Sequence, residues 1–339
     1  MGTTIATAST ILFLLRQAEC LFGWGEWREA LACYERILAD DPQNFDALLG
    51  AGILHWEKGR SDEALRLLAI ACGVQPPNFF AHFNRGVALQ DLGRHVDALD
   101  CYEKALALRP DSAEGHNNRG NVLKDLQRHE EALACYRKAL TVRPDLAEAY
   151  NNRGSVLKDL DRYEEALRCY DKAIALNYSL VQAHNNRSAL LNQLQRYEEA
   201  LRSYDMALAV DPNSSETRYN KSMLKLVLGD YHEAWPLHEW RWGSEHLKQE
   251  CRSFDQPLWL GGECLGGKTI LLHPEQGLGD IIQFVRYVPM VEALGAKVIL
   301  EAPSCLMIQG GIDTNHGQAV AMGMGGRRVA PVKRELWSS

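Results

Sequence analysis

Residues 113–146 read AEGHNNRGNVLKDLQRHEEALACYRKALTVRPDL, and residues 147–180 read AEAYNNRGSVLKDLDRYEEALRCYDKAIALNYSL. The two stretches align without a gap at an offset of 34 residues. Self-similarity at such a period marks a repeat architecture, in which one supersecondary unit buries its apolar face only against its neighbours. Working outward, the same frame covers 79–112, 45–78 and 11–44 on one side and 181–214 and 215–248 on the other, seven units in all.

The recurring residues divide each unit into two helices. Gly52, Gly86, Gly120 and Gly154 stand within the first helix. A mid-helix glycine costs about 1 kcal/mol relative to alanine, so its recurrence implies close helix–helix packing. Ala30, Ala64, Ala98, Ala132, Ala166, Ala200 and Ala234 occupy the facing side of the second helix. Leu133, Tyr136, Ala139 and Leu140 continue that apolar face at helical spacing. Acidic pairs such as Glu130–Glu131 and Glu164–Glu165 open the second helix, where they complement its dipole. Pro42, Pro76, Pro110, Pro144 and Pro212 close it.

This pattern resembles the tetratricopeptide repeat. The resemblance implies an all-α, right-handed superhelical solenoid whose first helices line a concave groove, and a protein or peptide partner in that groove. Asn84, Asn118, Asn152, Asn186 and Asn220 share one first-helix position, and Asn117, Asn151 and Asn185 precede three of them. An amide offers both donors and an acceptor, so a ladder of amides suits the backbone of an extended peptide. Asn121, Lys124 and Lys158 add to the same face, with Asp125, Ser155 and Asp159 beside them. A similar asparagine ladder lies in the repeats of O-linked N-acetylglucosamine transferases. The bland alternative is a solvated polar face copied by duplication. Arg85, Arg119, Arg153 and Arg187 follow the asparagines where the family more often has an apolar residue; they can snorkel, pair with acids or bind an acidic partner. His82, His116 and His184 are expected to pack.

The seventh unit departs from the pattern. Trp235, Trp240 and Trp242 are too bulky for the usual slots, and Pro236 should end or kink its second helix. It reads as a terminal cap that seats the array against the next segment of the chain. Residues 1–10 read as a tail and 249–266 as a linker. Residues 267–303 then read as one β-α-β unit: strand Thr269–His273, a glycine turn at Gly277 and Gly279, helix Ile281–Leu294 kinked at Pro289, and strand Lys297–Glu301. This is the opening of a doubly wound, Rossmann-like sheet, small and incomplete. Backbone N–H groups at such a turn favour an anion, although a purely structural turn needs the same glycines. The stretch from Trp240 to Ala302 resembles bacterial proteins in which repeats precede a glycosyltransferase-like domain of the heptosyltransferase type. That resemblance implies Asp280 as the base that deprotonates an acceptor hydroxyl. Residues 304–339 carry little periodicity and are expected to lack order.

Net charge −7, with 46% apolar and 24% charged residues, argues against a general binder of nucleic acid. No apolar run is long enough for a membrane-spanning helix. No leader or lipidation pattern fits the N-terminus, so the expected site is the cytoplasm. Cys33, Cys101, Cys135 and Cys169 recur at one repeat position, too far apart to bridge, and read as buried thiols. No metal or cofactor is expected. The sequence therefore favours a protein–protein interaction scaffold. The alternative is a glycosyltransferase using a nucleotide-sugar, of which the chain keeps the repeats and only the start of a catalytic domain.

Overall fold

The computed structural model describes residues 8–243, 259, 263–272, 287–303 and 318–322. The chain divides into two compact units, Met1–Trp240 and Arg241–Ser339.

The first unit is a stack of helix pairs. Its first helices are α1 (Ala8–Gly23), α3 (Phe45–Glu57), α5 (Phe79–Asp91), α7 (Ala113–Asp125), α9 (Ala147–Asp159), α11 (Val181–Gln193) and α13 (Ser215–Val227). Its second helices are α2 (Trp27–Asp40), α4 (Ser61–Val74), α6 (His95–Leu108), α8 (His129–Val142), α10 (Tyr163–Leu176), α12 (Tyr197–Val210) and α14 (Tyr231–His238). Each first helix packs on its own second helix and on the second helix of the repeat before it. Successive first helices from α3 to α13 also touch one another. They form a continuous row, and that row positions the candidate site.

Local chemistry explains the boundaries. Asn44, Asn78, Ser112 and Ser214 cap first helices by accepting from Ala47, Ala81, Gly115 and Thr217 backbone N–H groups. The turns between paired helices need one residue in the left-handed region. Gly25, Gly59, Gly93 and Gly229 supply it in four repeats, whereas Gln127, Asp161 and Gln195 adopt it with φ of 57–60° in the central three. Four second helices, α6, α8, α10 and α12, are preceded by an arginine that grips the acid three residues on. Arg128 Nε and Nη2 donate to Glu131 at 2.7 Å, and Arg162 holds Glu165 at 2.8 Å in the same way. The acidic pairs thus serve both the helix dipole and this clasp.

The core is a ladder of tyrosines seated on glycines. Tyr102, Tyr136 and Tyr170 are fully buried, each against the glycine of its paired first helix, Gly86, Gly120 and Gly154. A methyl group on Gly120 would stand 2.6 Å from Tyr136 Cε1. The equivalence of Cys33, Cys101, Cys135 and Cys169 also has this origin: all are buried free thiols on second helices. Desolvation pushes the Cys101 thiol up to about 11.

The seventh repeat shows the effect of Pro236. Its second helix, α14, ends at His238, and a 3₁₀ turn, Glu239–Gly243, comes next. Trp235 is exposed. Trp240 takes Arg218 over its ring at 3.8 Å from the centroid.

The second unit contains three parallel strands, β1 (Thr269–Leu272), β2 (Lys297–Pro303) and β3 (Gln318–Met322), in the order β1-β2-β3. Helix α15 (Val288–Ala293) lies between β1 and β2 in the chain. Pro289 sits in the first turn of α15, where its missing N–H costs nothing; residues 281–286 of the helix expected over Ile281–Leu294 lie outside the described residues. Of residues 304–339, expected to lack order, the described residues are those of β3; the rest of that stretch lies outside them. Three short strands and one short helix do not define a doubly wound sheet, and the turn that would mark one, with Gly277, Gly279 and Asp280, also lies outside them. The Rossmann-like assignment is therefore not carried by the structure.

Candidate binding face of the repeats

The sequence-predicted asparagines meet along the row of first helices, but not as a free ladder. Asn186 Nδ2 donates to Asn151 Oδ1 at 2.9 Å. Asn151 Nδ2 donates to Asn152 Oδ1 at 3.3 Å, and Asn152 Nδ2 donates to Asn117 Oδ1 at 3.2 Å. Asn117 Nδ2 donates in turn to Asn118 Oδ1 at 3.3 Å. One chain of amide hydrogen bonds thus runs through three repeats. Asn185 extends the pattern by accepting from Thr217 Oγ1 at 3.0 Å.

The two asparagines of each pair have different surroundings. Asn117, Asn151 and Asn185 are buried between repeats, whereas Asn118, Asn152 and Asn186 are half-buried. The first set cannot lie on an open groove; burial obliges their amides to bond internally, and they do. The second set keeps further donor and acceptor capacity, since each amide has two hydrogens and each oxygen two lone pairs. Asn121 accepts from Tyr136 Oη at 2.8 Å and retains its NH₂ group. Asn84 donates back to Phe80 O at 2.8 Å. Asn220 has no partner among the described residues.

Lys124 and Lys158 occupy the same stripe, seven residues beyond Asn117 and Asn151. Both are half-buried, and neither has an acidic partner within ion-pair distance among the described residues. The histidines pack as expected. His82, His116 and His184 are buried and bond through Nε2 to the carbonyls of Pro76, Pro110 and Tyr178 at 2.8–3.0 Å, pinning each first helix to the turn before it. Among the described residues no group of acidic, histidine or cysteine side chains is arranged to hold a metal. No described helix is long and apolar enough to cross a membrane.

A stack of paired helices with small, aromatic and proline positions at a constant period defines a helical-repeat protein. Family profiles described as tetratricopeptide repeat match residues 15–79, 79–145, 111–179 and 145–213. The chain belongs to the tetratricopeptide-repeat family. It is similar to a tetratricopeptide repeat protein from Parabacteroides merdae, at 18% identity and a TM-score of 0.61, over 71% of this chain and 97% of that one. It is also similar to pilF of Pseudomonas aeruginosa, at 24% identity and a TM-score of 0.51, over 57% of this chain and 88% of that one. The Cut9–Hcn1 hetero-tetramer of the APC/C contains a chain similar at 15% identity and a TM-score of 0.55, over 68% of this chain and 52% of that one. These likenesses concern the fold alone. No curated protein matches the chain. The matched profiles lie within residues 15–213, so none covers residues 267–303.

Proposed function

We propose that this chain is a protein–protein interaction scaffold that holds an extended polypeptide along the row of its first helices. The observation that carries this reading is the pair Lys124 and Lys158. They stand one repeat apart on one stripe, with no acidic partner among the described residues, beside amides that keep spare hydrogen-bonding capacity. Helices in contact lie about 8–10 Å apart, and an extended chain rises about 3.3 Å per residue, so each repeat would serve roughly three residues of the partner. The half-buried asparagines address its backbone, and the two lysines address acidic side chains or a terminal carboxylate. The free thiols fit a cytoplasmic setting. The glycosyltransferase alternative, with a nucleotide-sugar donor, has no comparable support, because its candidate residues Gly277, Gly279 and Asp280 lie outside the described residues.

The test is capture of binding partners from extract by wild type and by the double variant K124A/K158A, with circular dichroism on both. Loss of the captured partner at unchanged helicity supports the reading. Full capture by the double variant removes the lysines, and with them the observation on which the reading stands.

A further inference from the structure

The first-helix arginines point away from the asparagine row. Arg153 lies two residues beyond Asn151, about 200° around the helix. On that side three of the basic residues meet the second helix of the preceding repeat in a fixed register. Arg119 Nη2 pairs with Glu103 at 2.8 Å, Arg187 Nε pairs with Asp171 at 2.7 Å, and Lys221 pairs with Asp205. In all three the acid stands 16 residues upstream. Sixteen residues upstream of Arg153 is Arg137.

The register that opposes charges at those three positions sets two arginines against each other here. A third cation joins them. Lys138 lines the crevice of about 530 Å³ formed by α6, α7 and α8, together with Glu103 and Arg119. Lys172, on α10, is the equivalent residue one repeat later. Among the described residues Arg137, Arg153 and Lys172 have no ion-pair partner. Glu165 feels the charge of Arg153, but its two oxygens are both held by Arg162 at 2.8 Å.

We propose that the equivalent position between the fourth and fifth repeats, with Arg137, Arg153 and Lys172, binds a compact, multiply charged oxyanion carried by a protein partner, an Asp/Glu cluster or a phosphorylated side chain. Two arginines and a lysine at equivalent positions of this register, none of them in an ion pair among the described residues, match such a group in charge and in donor type. The ligand has to be compact because the neighbouring positions are acidic. Glu103 lies one repeat before and Asp171 one repeat after, so an extended polyanion such as a nucleic acid would meet repulsion on both sides of its one favourable contact.

The experiment uses the full chain and fluorescence anisotropy with three labelled peptides of one Gly/Ser frame, carrying three glutamates, one phosphoserine or neither. Saturable binding of the glutamate peptide, the phosphoserine peptide or both, without the neutral one, is expected, and the pattern names the source of the anion. R137E restores the acid–base register of the other repeats, so it should keep or raise the melting temperature while weakening binding at least tenfold. K172E, an exposed change, gives a second reading of the same loss. E103R should create a second site in the preceding crevice and double the stoichiometry. Equal binding by wild type and both loss variants overturns the proposal. So does equal binding of the neutral peptide, absence of binding to either charged peptide, or a stronger, R137E-sensitive affinity for a single-stranded oligonucleotide.

Discussion

Tyr136 donates its hydroxyl hydrogen to Asn121 Oδ1 at 2.8 Å, joining the two helices of the fourth repeat at the edge of the polar row. One repeat later the arrangement fails. Ser155 stands where Asn121 would be, and the fully buried Tyr170 hydroxyl has no hydrogen-bond partner. An intramolecular hydrogen bond contributes about 1 kcal/mol, and a buried unsatisfied group costs about 1–3 kcal/mol. Y136F should therefore destabilise by about 1 kcal/mol, whereas Y170F should be neutral or stabilising. S155N should raise stability by about 1 kcal/mol by supplying the missing acceptor. Urea unfolding of the three variants checks this, and equal losses in Y136F and Y170F would contradict it.

Glycines of the helices are not interchangeable. A methyl group on Gly120 would lie 2.6 Å from Tyr136, deep in the tyrosine ladder, whereas one on Gly73 meets nothing within 4 Å. Overpacking a core costs about 1–3 kcal/mol, more than the roughly 1 kcal/mol that alanine gains by helix propensity. G120A is thus expected to lower the thermal midpoint. G73A, in the last turn of α4, is expected to raise it by up to about 1 kcal/mol in stability. A rise in both would show that the Tyr136–Gly120 contact relaxes at little cost.

The helix pairs were legible because each requirement is repeated: glycine under tyrosine, alanine at the crossing, proline after the second helix. The division of labour among the asparagines was not. Asn117 and Asn118 are neighbours about 100° apart on one helix, and the phase of a repeat does not tell which of them turns into the next repeat. Only the packing of α7 against α9 buries Asn117 and leaves Asn118 half open. The arginines are the opposite case. Their pairing follows from residues 16 apart, so the exception at Arg137 and Arg153 was present in the sequence but needed the observed register to acquire meaning.

Asn151 sits at the middle of the amide chain, donating to Asn152 and accepting from Asn186. N151A removes both bonds, each worth about 1 kcal/mol, so a loss of about 2 kcal/mol is expected. Asn220 has the same repeat position as Asn186 but no partner among the described residues, and N220A should stay within about 0.5 kcal/mol of wild type. Chemical denaturation of the two variants side by side separates a structural amide from a free one. Comparable losses would deny the chain of amides its role in holding repeats together.

Stability should also depend on pH through two buried imidazoles. Desolvation lowers the pKa of His116, against a weaker opposing effect of its bond to the Pro110 carbonyl, and Lys138 and Arg119 lower it further. Desolvation likewise leads the lowering at His55. A base whose folded pKa lies below its unfolded value binds more protons when unfolded, so stability is full at neutral pH and falls as pH drops below the unfolded value near about 6.5. The fall continues until the folded-state pKa is passed and then levels off for these groups. Urea midpoints should therefore decrease between pH 7.5 and 5.5. The fifth repeat already places Tyr150 at the equivalent position, so H116Y should keep the fold and make that decrease shallower. A variant with the same pH slope as wild type would show that His116 does not contribute to it.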